Sequence, residues 1–295
     1  MDKLQLKYCI YYGSWLVWPF MAWLVWRLRQ RERRWLVATL LVGCLVFAWA
    51  RFVEPQRIRV QETVLAGTGG QLRVVLISDI HLGVYKDSAY LQRLVDRINT
   101  VQADAVVIAG DFTYEPDGRP LAPMFAPLGR LRMPTYAVLG NHDQQAPGPD
   151  VDAELRAALA THAVQVIEGR SVTLKGFRLA GLGDRWAHND DPAFLHATPS
   201  PLPTLVLTHN PDSAIALGPD HAALVMAGHT HGGQIRSPWL YRKVIPSRYG
   251  FDRGQQYLRT PHGNVRVYTT VGTGEIGLPM RLFNPPTIDV LDLRP

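Results

Sequence analysis

The sequence predicts an α/β domain preceded by a pair of membrane helices, and three observations lead to this prediction. Two long apolar stretches lie within residues 1–56. From residue 61 onward, short apolar runs of strand length alternate with amphipathic stretches of helical period, and five of the apolar runs end in Gly, Asp, Asn or His. Strands that alternate with helices are typical of a sheet covered by helices. We therefore expect a membrane hairpin over residues 1–56 and one folded domain over residues 61–295.

The two N-terminal stretches have the composition of membrane helices. Residues 8–26 carry no charge and residues 35–50 form a second such run, close to the roughly 20 residues that cross a hydrocarbon core. Six of the eight tryptophans lie within the first 50 residues, and indole rings favour the membrane interface. No clear small-residue cleavage site follows the first run, which favours an uncleaved hairpin over a signal peptide. A pair of buried soluble helices is the alternative.

A basic turn joins the two predicted membrane helices. Residues 27–34 contain five arginines and one glutamate, and short cytoplasmic loops retain an excess of Lys and Arg. Both ends of the hairpin would then face outward. We expect a multi-pass protein of the bacterial inner membrane whose domain lies on the outer, periplasmic face.

Charge and cysteine content limit the chemistry of the domain. The first 60 residues carry ten Lys or Arg against three Asp or Glu, so the rest of the chain is close to neutral and no nucleic-acid partner is expected. Both cysteines, Cys9 and Cys44, lie in the N-terminal apolar stretches. A metal site in the domain must therefore use nitrogen and oxygen ligands, which suit Mn, Fe, Zn or Mg.

Each of five apolar runs delivers a polar group at its C-terminal end. The runs cover residues 72–77, 105–109, 136–139, 205–207 and 224–227. The polar groups that follow them are Asp79, His81, Asp111, Asn141, His142, Asp143, His209, His229 and His231. Because ligands gather outside the carboxyl ends of strands in α/β sheets, we expect these groups to meet in one place.

Two helices are predicted between these runs. Ser88 is expected to cap the first, whose apolar face comprises Leu91, Leu94, Val95, Ile98 and Val101. Asp152 begins the second, which has an apolar face of Leu155, Ala158 and Leu159.

The polar groups suit a pair of divalent metal ions, which need neutral imidazoles and a carboxylate able to bridge. In an extended segment, residues i and i+2 point to the same side, so Asp79 and His81 could serve one site, as could His229 and His231. Two metals about 4 Å apart would hold the attacking and leaving oxygens of a displacement at phosphorus and supply a hydroxide near neutral pH. This predicts a phosphoester hydrolase that loses its metals in acid, where unperturbed imidazole is protonated.

The ordered motifs resemble the calcineurin-like metallophosphoesterase superfamily, which shows D-x-H, G-D, G-N-H-D or E, a lone H, and G-H-x-H in this order. All five blocks are present between Asp79 and His231. The resemblance implies a four-layer sandwich of two mixed β-sheets flanked by helices.

The resemblance also implies roles for individual residues. The first metal would be bound by Asp79, His81, Asp111 and His231, and the second by bridging Asp111 with Asn141, His209 and His229. His142 would be the catalytic residue that contacts the phosphate and protonates the leaving group. Asp143 would orient its neighbours. The expected cofactor is two divalent ions, with manganese as the first choice.

A narrower likeness extends to the C-terminal part of the chain. His209-Asn210-Pro211-Asp212, residues 228–234, Gly272-Thr273-Gly274 and residues 277–281 resemble the membrane-associated branch of bacterial phosphodiesterases. That branch is similar to enzymes that split the pyrophosphate of UDP-2,3-diacylglucosamine, which implies a lipid-linked substrate. The substrate is made in the cytoplasm, whereas the charge rule places this domain outside.

Other functions stay open at this point. The domain could be a phosphomonoesterase or a nucleotide phosphodiesterase acting on soluble substrates, or an inactive membrane scaffold. Residues 236–262, including Trp239, Leu240 and Tyr241, would form either a packed loop or an apolar, cationic rim beside the metals. Asp184 is expected to be a turn residue. The remaining histidines are expected on the surface or in loops: His162, His188, His196, His221 and His262.

Overall fold

The structure is a computed structural model that describes residues 2–30, 33–144, 150–239 and 241–295. Two predicted features fall partly outside the described residues. They are the basic turn at residues 27–34, through residues 31–32, and the segment 236–262, through Leu240.

Nine α-helices occur in the described residues: α1 (Lys3–Gly13), α2 (Val17–Arg29), α3 (Arg34–Ala48), α4 (Ser88–Ile98), α5 (Leu121–Phe125), α6 (Asn141–Gln144), α7 (Asp152–Thr161), α8 (Ala193–Ala197) and α9 (Tyr241–Val244). Short 3₁₀ segments cover Ser14–Leu16, Glu54–Gln56, Ala126–Arg130, Pro211–Ala216 and His231–Gly233, and a π-helical turn covers Trp49–Val53.

The described residues also form fourteen strands: β1 (Arg59–Leu65), β2 (Leu72–Ile77), β3 (Leu82–Gly83), β4 (Ala105–Ala109), β5 (Thr113–Tyr114), β6 (Thr135–Val138), β7 (Val164–Val166), β8 (Arg170–Leu174), β9 (Phe177–Gly181), β10 (Thr204–Leu207), β11 (Leu224–Ala227), β12 (Gly254–Thr260), β13 (Gly263–Thr269) and β14 (Thr287–Leu293).

Twelve of these strands form two mixed sheets. The first sheet has the order β1-β14-β2-β4-β6-β7, with β14 antiparallel to β2 and the other pairs parallel. The second has the order β12-β13-β11-β10-β9-β8, with antiparallel pairs at both edges. The predicted mixed-sheet α/β architecture is confirmed.

The two sheets pack face to face across one apolar core. Alternate residues of β2 and β4, such as Val74 and Val107, meet Leu205 and Met226 of the second sheet there. Helices α4, α5 and α7 cover the outer face of the first sheet, and α8 with the 3₁₀ segment Pro211–Ala216 contributes to the cluster on the outer face of the second. Both faces of the central strands are therefore buried, which explains why these strands are almost continuously apolar in sequence.

The predicted strands and helices agree closely with the observed ones. Three strands, β2, β4 and β11, have the predicted bounds, and β6 and β10 each begin one residue earlier than predicted. The cap of α4 differs from the prediction, because the carboxylate of Asp87, not Ser88, accepts the hydrogen bond from the backbone of Tyr90. Ser88 instead donates its hydroxyl to the carbonyl of Met124. Val101 lies beyond the end of the helix.

The N-terminal part forms helices but supports one membrane span rather than two. Within the described residues, one helical stretch, Arg34–Gln56, is long and apolar enough to cross a membrane by length and composition. The predicted first span, residues 8–26, is divided by the 3₁₀ turn Ser14–Leu16 between α1 and α2. The membrane hairpin is therefore not confirmed. The first strand of the sheet, β1, begins at Arg59, two residues before the residue 61 at which the domain is predicted to start.

Helix α1 packs on the folded domain. The ring of Tyr11 stacks on that of Tyr85, with centroids 5.5 Å apart, and the hydroxyl of Tyr8 donates to Asp117 over 3.1 Å. Buried Arg51 holds the C-terminal end of α1. Its guanidinium donates a hydrogen bond to the hydroxyl of Ser14 and lies over the ring of Tyr11. These contacts direct the first half of the apolar run along the domain.

Candidate metal centre

The predicted polar groups lie where the carboxyl ends of five strands meet. Strands β2, β4 and β6 are neighbours in the first sheet, and β10 and β11 are neighbours in the second. The loop after each strand carries at least one of the groups into the space between the two sheet edges. All of the predicted ligands are buried: Asp79, His81, Asp111, Asn141, His209, His229 and His231.

Four of the predicted ligands form one compact cluster. One ligand atom from each of Asp79, His81, Asp111 and His231 lies within 4.8 Å of all the others. The Nε2 atoms of His81 and His231 are 3.1 Å apart, and His231 Nε2 is 3.3 Å from Asp79 Oδ1. A cation bound at about 2.0–2.2 Å by each ligand would hold its ligands about 3–3.5 Å apart. These two pairs match that spacing, and Asp79 Oδ1 lies slightly farther, 3.8 Å, from His81 Nε2.

A second group of ligands adjoins the first through Asp111. Asp111 Oδ2 is 3.5 Å from His81 Nε2 and 3.2 Å from His209 Nε2. His209 Nε2 is in turn 3.1 Å from His229 Nδ1. Asp111 thus faces histidines of both groups and has the position of a bridging carboxylate.

Backbone carbonyls define which ring nitrogen of two histidines carries its proton. The Nδ1 atom of His81 is 3.0 Å from the carbonyl of Thr113, and the Nδ1 atom of His209 is 2.7 Å from that of Ala109. A carbonyl can only accept, so each neutral ring donates from Nδ1 and presents the lone pair of Nε2 to Asp111. A lone pair that faces a carboxylate oxygen is repulsive unless a proton or a cation lies between them, so this arrangement suits a metal.

Buried polar atoms without a hydrogen-bond partner provide the test of whether a metal fits. Among the described residues, Asp79 Oδ1 and both amide atoms of Asn141 are such atoms. A buried polar atom left unpaired costs about 1–3 kcal/mol. Carboxylate, amide oxygen and imidazole together form a donor set for Mn, Fe, Zn or Mg. The residues present therefore fit a pair of divalent cations.

Burial and mutual charge set the protonation of the cluster. Burial lowers the pKa of His81 and of His229 to about 3, so both rings are neutral at neutral pH. Burial raises the pKa of Asp79 to about 7. Burial alone would raise the pKa of Asp111, but His209 and the other nearby histidines hold it well below its usual value. Burial would lower the pKa of His209, but Asp111 raises it well above its usual value.

Several ligand residues adopt strained backbone conformations. The angle φ is positive at Asp79, His81, Asp111, His229 and His231, between 51° and 69°, a region that side-chain-bearing residues occupy rarely. Such conformations cost of order 1–3 kcal/mol each and cluster at functional sites. Two neighbouring glycines, Gly140 and Gly228, leave room for the ligands. A Cβ on Gly140 would overlap Asp111 Oδ1, and a Cβ on Gly228 would overlap the side chain of Ser78.

His142 and Asp143 extend the centre in different ways. The ring of His142 lies edge-on to that of His81, with centroids 5.2 Å apart, and burial lowers its pKa. Asp143 accepts backbone hydrogen bonds from Phe112, Thr113 and Gly140 over 2.9–3.1 Å. It thereby ties the loop after β4 to the loop after β6 and orients Asp111 and Asn141, as the resemblance implies.

A cavity of about 600 Å³ opens over the centre. Its floor includes Asp111, Asn141, His142, His229 and His231. Its walls are mainly apolar and include Ile235, Val244, Pro246, Ile276 and Leu278. From the predicted rim segment, Val244 and Pro246 line the cavity, whereas Tyr241 is buried under Arg236 and Trp239 is 85% exposed.

Three contributors to the site were missed by sequence reasoning about ligands. The backbone of Thr273 and Gly274 donates to the carbonyls of Ser78 and Asp79, so the C-terminal glycine motif supports the first ligand loop. Trp186 lies edge-on to His229, with centroids 4.6 Å apart. Asp184 is the turn residue predicted, since it accepts from the backbone of Trp186 and Ala187. None of the five remaining histidines is buried.

An Asp/His cluster of this kind, between the strand ends of two packed mixed sheets, defines the class of metal-dependent hydrolases. The chain belongs to the calcineurin-like phosphoesterase family, because residues 72–233 match the sequence profile of that family. It is a metallophosphoesterase, and the predicted resemblance is confirmed.

Three relatives illustrate the family around this chain. Phosphodiesterase YaeI of Escherichia coli K12 is 26% identical over 257 residues, which cover 84% of this chain and 92% of the relative. UDP-2,3-diacylglucosamine pyrophosphatase LpxG of Chlamydia trachomatis serovar D is 28% identical over 268 residues, 69% of this chain and 78% of the relative. A protein of Danio rerio named transmembrane protein with metallophosphoesterase domain is 31% identical over 241 residues, 76% of this chain and 53% of the relative. The name of the Danio rerio relative and the apolar helix Arg34–Gln56 of this chain both point to membrane association.

Proposed function

We propose that this chain hydrolyses a phosphodiester or pyrophosphate bond with the help of two divalent cations. The observation that carries the proposal is the buried cluster of Asp79, His81, Asp111 and His231, of which Asp111 and His231 line the floor of an open cavity. Packing alone does not explain buried carboxylate and imidazole groups whose polar atoms have no hydrogen-bond partner.

The proposed ligand sets follow the two groups in the cluster. Asp79, His81, Asp111 and His231 would hold the first cation, and Asp111 with Asn141, His209 and His229 would hold the second. When bound, the two cations would supply Lewis acidity and a nucleophile at neutral pH, with manganese as the proposed metal. The carbonyls of Thr113 and Ala109 fix the rings of His81 and His209 in the orientation that metal binding requires.

His142 is the proposed catalytic residue of the chain. Its Nδ1 atom is buried and has no hydrogen-bond partner among the described residues, and the side chain lines the cavity beside Asp111. Its backbone N–H donates to Asp111 Oδ1 over 3.0 Å, which fixes the ring beside the metal ligands. We propose that this ring binds a phosphoryl oxygen and protonates the leaving oxygen.

A lipid-linked substrate is the second part of the proposal. The apolar walls of the cavity support it, because a hydrolase for small soluble phosphates has no use for the side chains of Ile235, Val244 and Leu278 around its metals. Relatives named for the pyrophosphatase reaction on UDP-2,3-diacylglucosamine make that compound the first substrate to test. A phosphomonoesterase or a nucleotide phosphodiesterase acting on soluble substrates is the alternative.

We also propose that residues 1–56 form a membrane hairpin and that the domain after it lies on the outer face of the inner membrane. Helices α2 and α3 pack on each other, and many large apolar side chains along them are exposed, including Trp18, Trp26 and Leu40. Helix α1 and the domain are in contact and so lie on the same side of the membrane, as a hairpin requires. A reporter fused after Pro295 that is active only in the cytoplasm would contradict this orientation.

The proposed activity is tested by manganese-dependent hydrolysis with the full chain in detergent. Wild type is compared with Asp111→Ala and with the matched control His196→Ala, which alters an exposed histidine outside the cavity. The substrates are bis-p-nitrophenyl phosphate and UDP-2,3-diacylglucosamine. We expect Asp111→Ala to lose activity on both and His196→Ala to retain it.

The relative rates decide between the substrate classes. A higher kcat/KM on the lipid nucleotide supports the lipid-linked substrate and counts against an outward-facing domain. A preference for soluble monoesters or nucleotides supports the alternative. Wild-type protein that binds no metal would overturn the proposed function.

A further inference from the structure

Part of the wall of the cavity over the metal centre comes from the N-terminal segment, which precedes the family domain. Lys7, on helix α1, lines the cavity together with Asp111, Asn141 and His142, although the family profile begins only at residue 72. Among the described residues that line the cavity, Lys7 is the only lysine or arginine. The site therefore receives its one cationic side chain from the N-terminal segment.

The position of this lysine is fixed by the packing of α1. The helix begins with a capping box formed by Asp2 and Gln5. Leu4, Tyr8 and Tyr11, spaced i, i+4 and i+7, pack on a small apolar cluster that includes Tyr85 and Tyr114. Lys7 lies on the same side of the helix, and its side chain is 17% exposed.

The ammonium group of Lys7 is held at the edge of the site, and not all of its hydrogen-bond donors are used. It forms an ion pair with Glu115 and lies 4.3 Å from the centroid of the Tyr114 ring. The Tyr114 ring in turn lies 5.4 Å from that of His142, so a single aromatic ring separates the ammonium from the proposed catalytic residue. An ammonium group has three donors, and Glu115 is the only hydrogen-bond acceptor it contacts in the described part of the chain.

We infer that Lys7 is a substrate-binding residue that recognises a second phosphate group, one bond beyond the phosphorus that is attacked. This inference rests on the proposed function. Two divalent cations would neutralise the phosphoryl group at the metals, whereas the second phosphate of a diphosphate diester needs a cation from the protein. Lysine binds phosphate as a point charge, and its flexible stem lets the ammonium turn from Glu115 toward the ligand. The substrate class that this predicts is diphosphate diesters.

The test uses the full chain in detergent with three variants. Lys7→Met removes the charge and keeps the stem, Lys7→Arg keeps the charge, and Tyr8→Phe removes a contact of the same helix that does not line the cavity. The activity readout is kcat/KM on a nucleoside diphosphate sugar, with two negative charges, against bis-p-nitrophenyl phosphate, with one. The binding readout is calorimetry with methylenediphosphonate, which is not hydrolysed.

We expect Lys7→Met to lower kcat/KM on the diphosphate by about 10- to 100-fold, mainly through KM, and to change bis-p-nitrophenyl phosphate hydrolysis by less than about threefold. Lys7→Arg should retain most of the activity, and Tyr8→Phe should behave like wild type. The Kd for methylenediphosphonate should rise in Lys7→Met by a similar factor.

Two results would overturn the inference. An unchanged Kd for methylenediphosphonate in Lys7→Met would show that Lys7 does not bind the second phosphate. Equal losses on both substrates would show that Lys7 serves only to dock the helix. If wild type hydrolyses neither substrate, the proposed function fails, and the binding measurement still decides the role of Lys7.

Discussion

The side-chain amide of Asn284 donates a hydrogen bond of 2.6 Å to the backbone carbonyl of His231. The backbone N–H of Asn284 donates to Glu54 over 2.5 Å, and the other carboxylate oxygen of Glu54 accepts from the indole of Trp49. A chain of hydrogen bonds thus joins the end of the apolar helical stretch to a proposed metal ligand.

The first prediction concerns this connection. His231 has a φ of 51°, so its strained backbone depends on Asn284 for support. Asn284→Ala should weaken manganese binding by about 10- to 100-fold, the usual effect of losing a residue that orients a ligand. Asn264→Ala, at an exposed position, is the matched control. Titration of the metal-free protein with manganese measures both, and equal affinities would contradict the prediction.

The second prediction concerns Gly140. A Cβ at this position would overlap Asp111 Oδ1 and lie 2.6 Å from the Asp111 backbone nitrogen, and the buried loops have no space to yield. Gly140→Ala should displace the carboxylate of Asp111, abolish most of the proposed activity and destabilise the fold by about 1–3 kcal/mol. Gly129→Ala is the control, because its Cβ would make an ordinary contact at 3.5 Å. Urea unfolding and hydrolysis assays of the two variants give the comparison.

The third prediction concerns Asp143. Its carboxylate accepts three backbone N–H groups and the hydroxyl of Thr113. In Asp143→Asn, the NH₂ of the new amide would face the same backbone N–H donors and could not accept from them. We therefore expect a loss of about 1–3 kcal/mol in the free energy of unfolding and weaker metal binding. Exposed Asp220→Asn should show neither effect. Thermal unfolding with and without manganese separates the loss of stability from the loss of metal binding. An unchanged melting temperature in Asp143→Asn would refute the proposed role of Asp143 in joining the two loops.

The fourth prediction concerns pH. In the metal-free protein, Asp79 has a pKa raised to about 7 and His209 one raised well above its usual value, so both hold protons that a metal must displace. Metal affinity should therefore be highest above pH 7 and fall by about tenfold per pH unit for each displaced proton below it. Manganese titration between pH 6 and pH 8 checks this, and a pH-independent Kd would contradict it.

The same values change the reason for acid sensitivity that the sequence suggests. From sequence alone, loss of metal in acid follows from protonation of imidazole at its ordinary pKa. Burial lowers the pKa of His81 and of His229 to about 3, so both rings stay neutral in mild acid. The protons on the carboxylate of Asp79 and on the ring of His209 are therefore the ones that compete with metal.

The fifth prediction concerns the apolar wall of the cavity. Leu278 lines the cavity and is 45% exposed, so Leu278→Ser should alter the wall without unfolding the domain. We expect kcat/KM to fall several-fold on a lipid-linked substrate and to stay unchanged on bis-p-nitrophenyl phosphate, because only the acyl chains of the proposed substrate would contact this wall. Val64→Ser, exposed on β1 and outside the cavity, is the control. Equal effects on both substrates would count against a lipid-binding wall.

The sequence was sufficient to predict five of the strands and the residues at their ends. Buried parallel strands require continuous apolar runs, so Asp79, Asp111 and His229 stand out at the points where those runs stop. Their meeting follows from the topology of α/β sheets.

Tertiary contacts account for what the sequence could not predict. The uncharged run of residues 8–26 has the pattern of a single helix. The contacts of Tyr11 with Tyr85 and of Tyr8 with Asp117 show why α1 lies along the domain instead. Asn284 has no motif or periodicity to mark it, because its role depends on a neighbour 53 residues away. Asp87 and Ser88 are both good helix caps, and the structure alone distinguishes them.

Only Arg57 and Ile58 separate the last helical turn, Glu54–Gln56, from the first strand of the sheet at Arg59. A linker of two residues is too short to act as a flexible tether, so a domain held by an inserted helix would stay close to the bilayer surface. A lipid-linked substrate, as proposed, would then reach the cavity by diffusion within the plane of the membrane, and the turnover rate would depend on the surface density of substrate rather than on its bulk concentration.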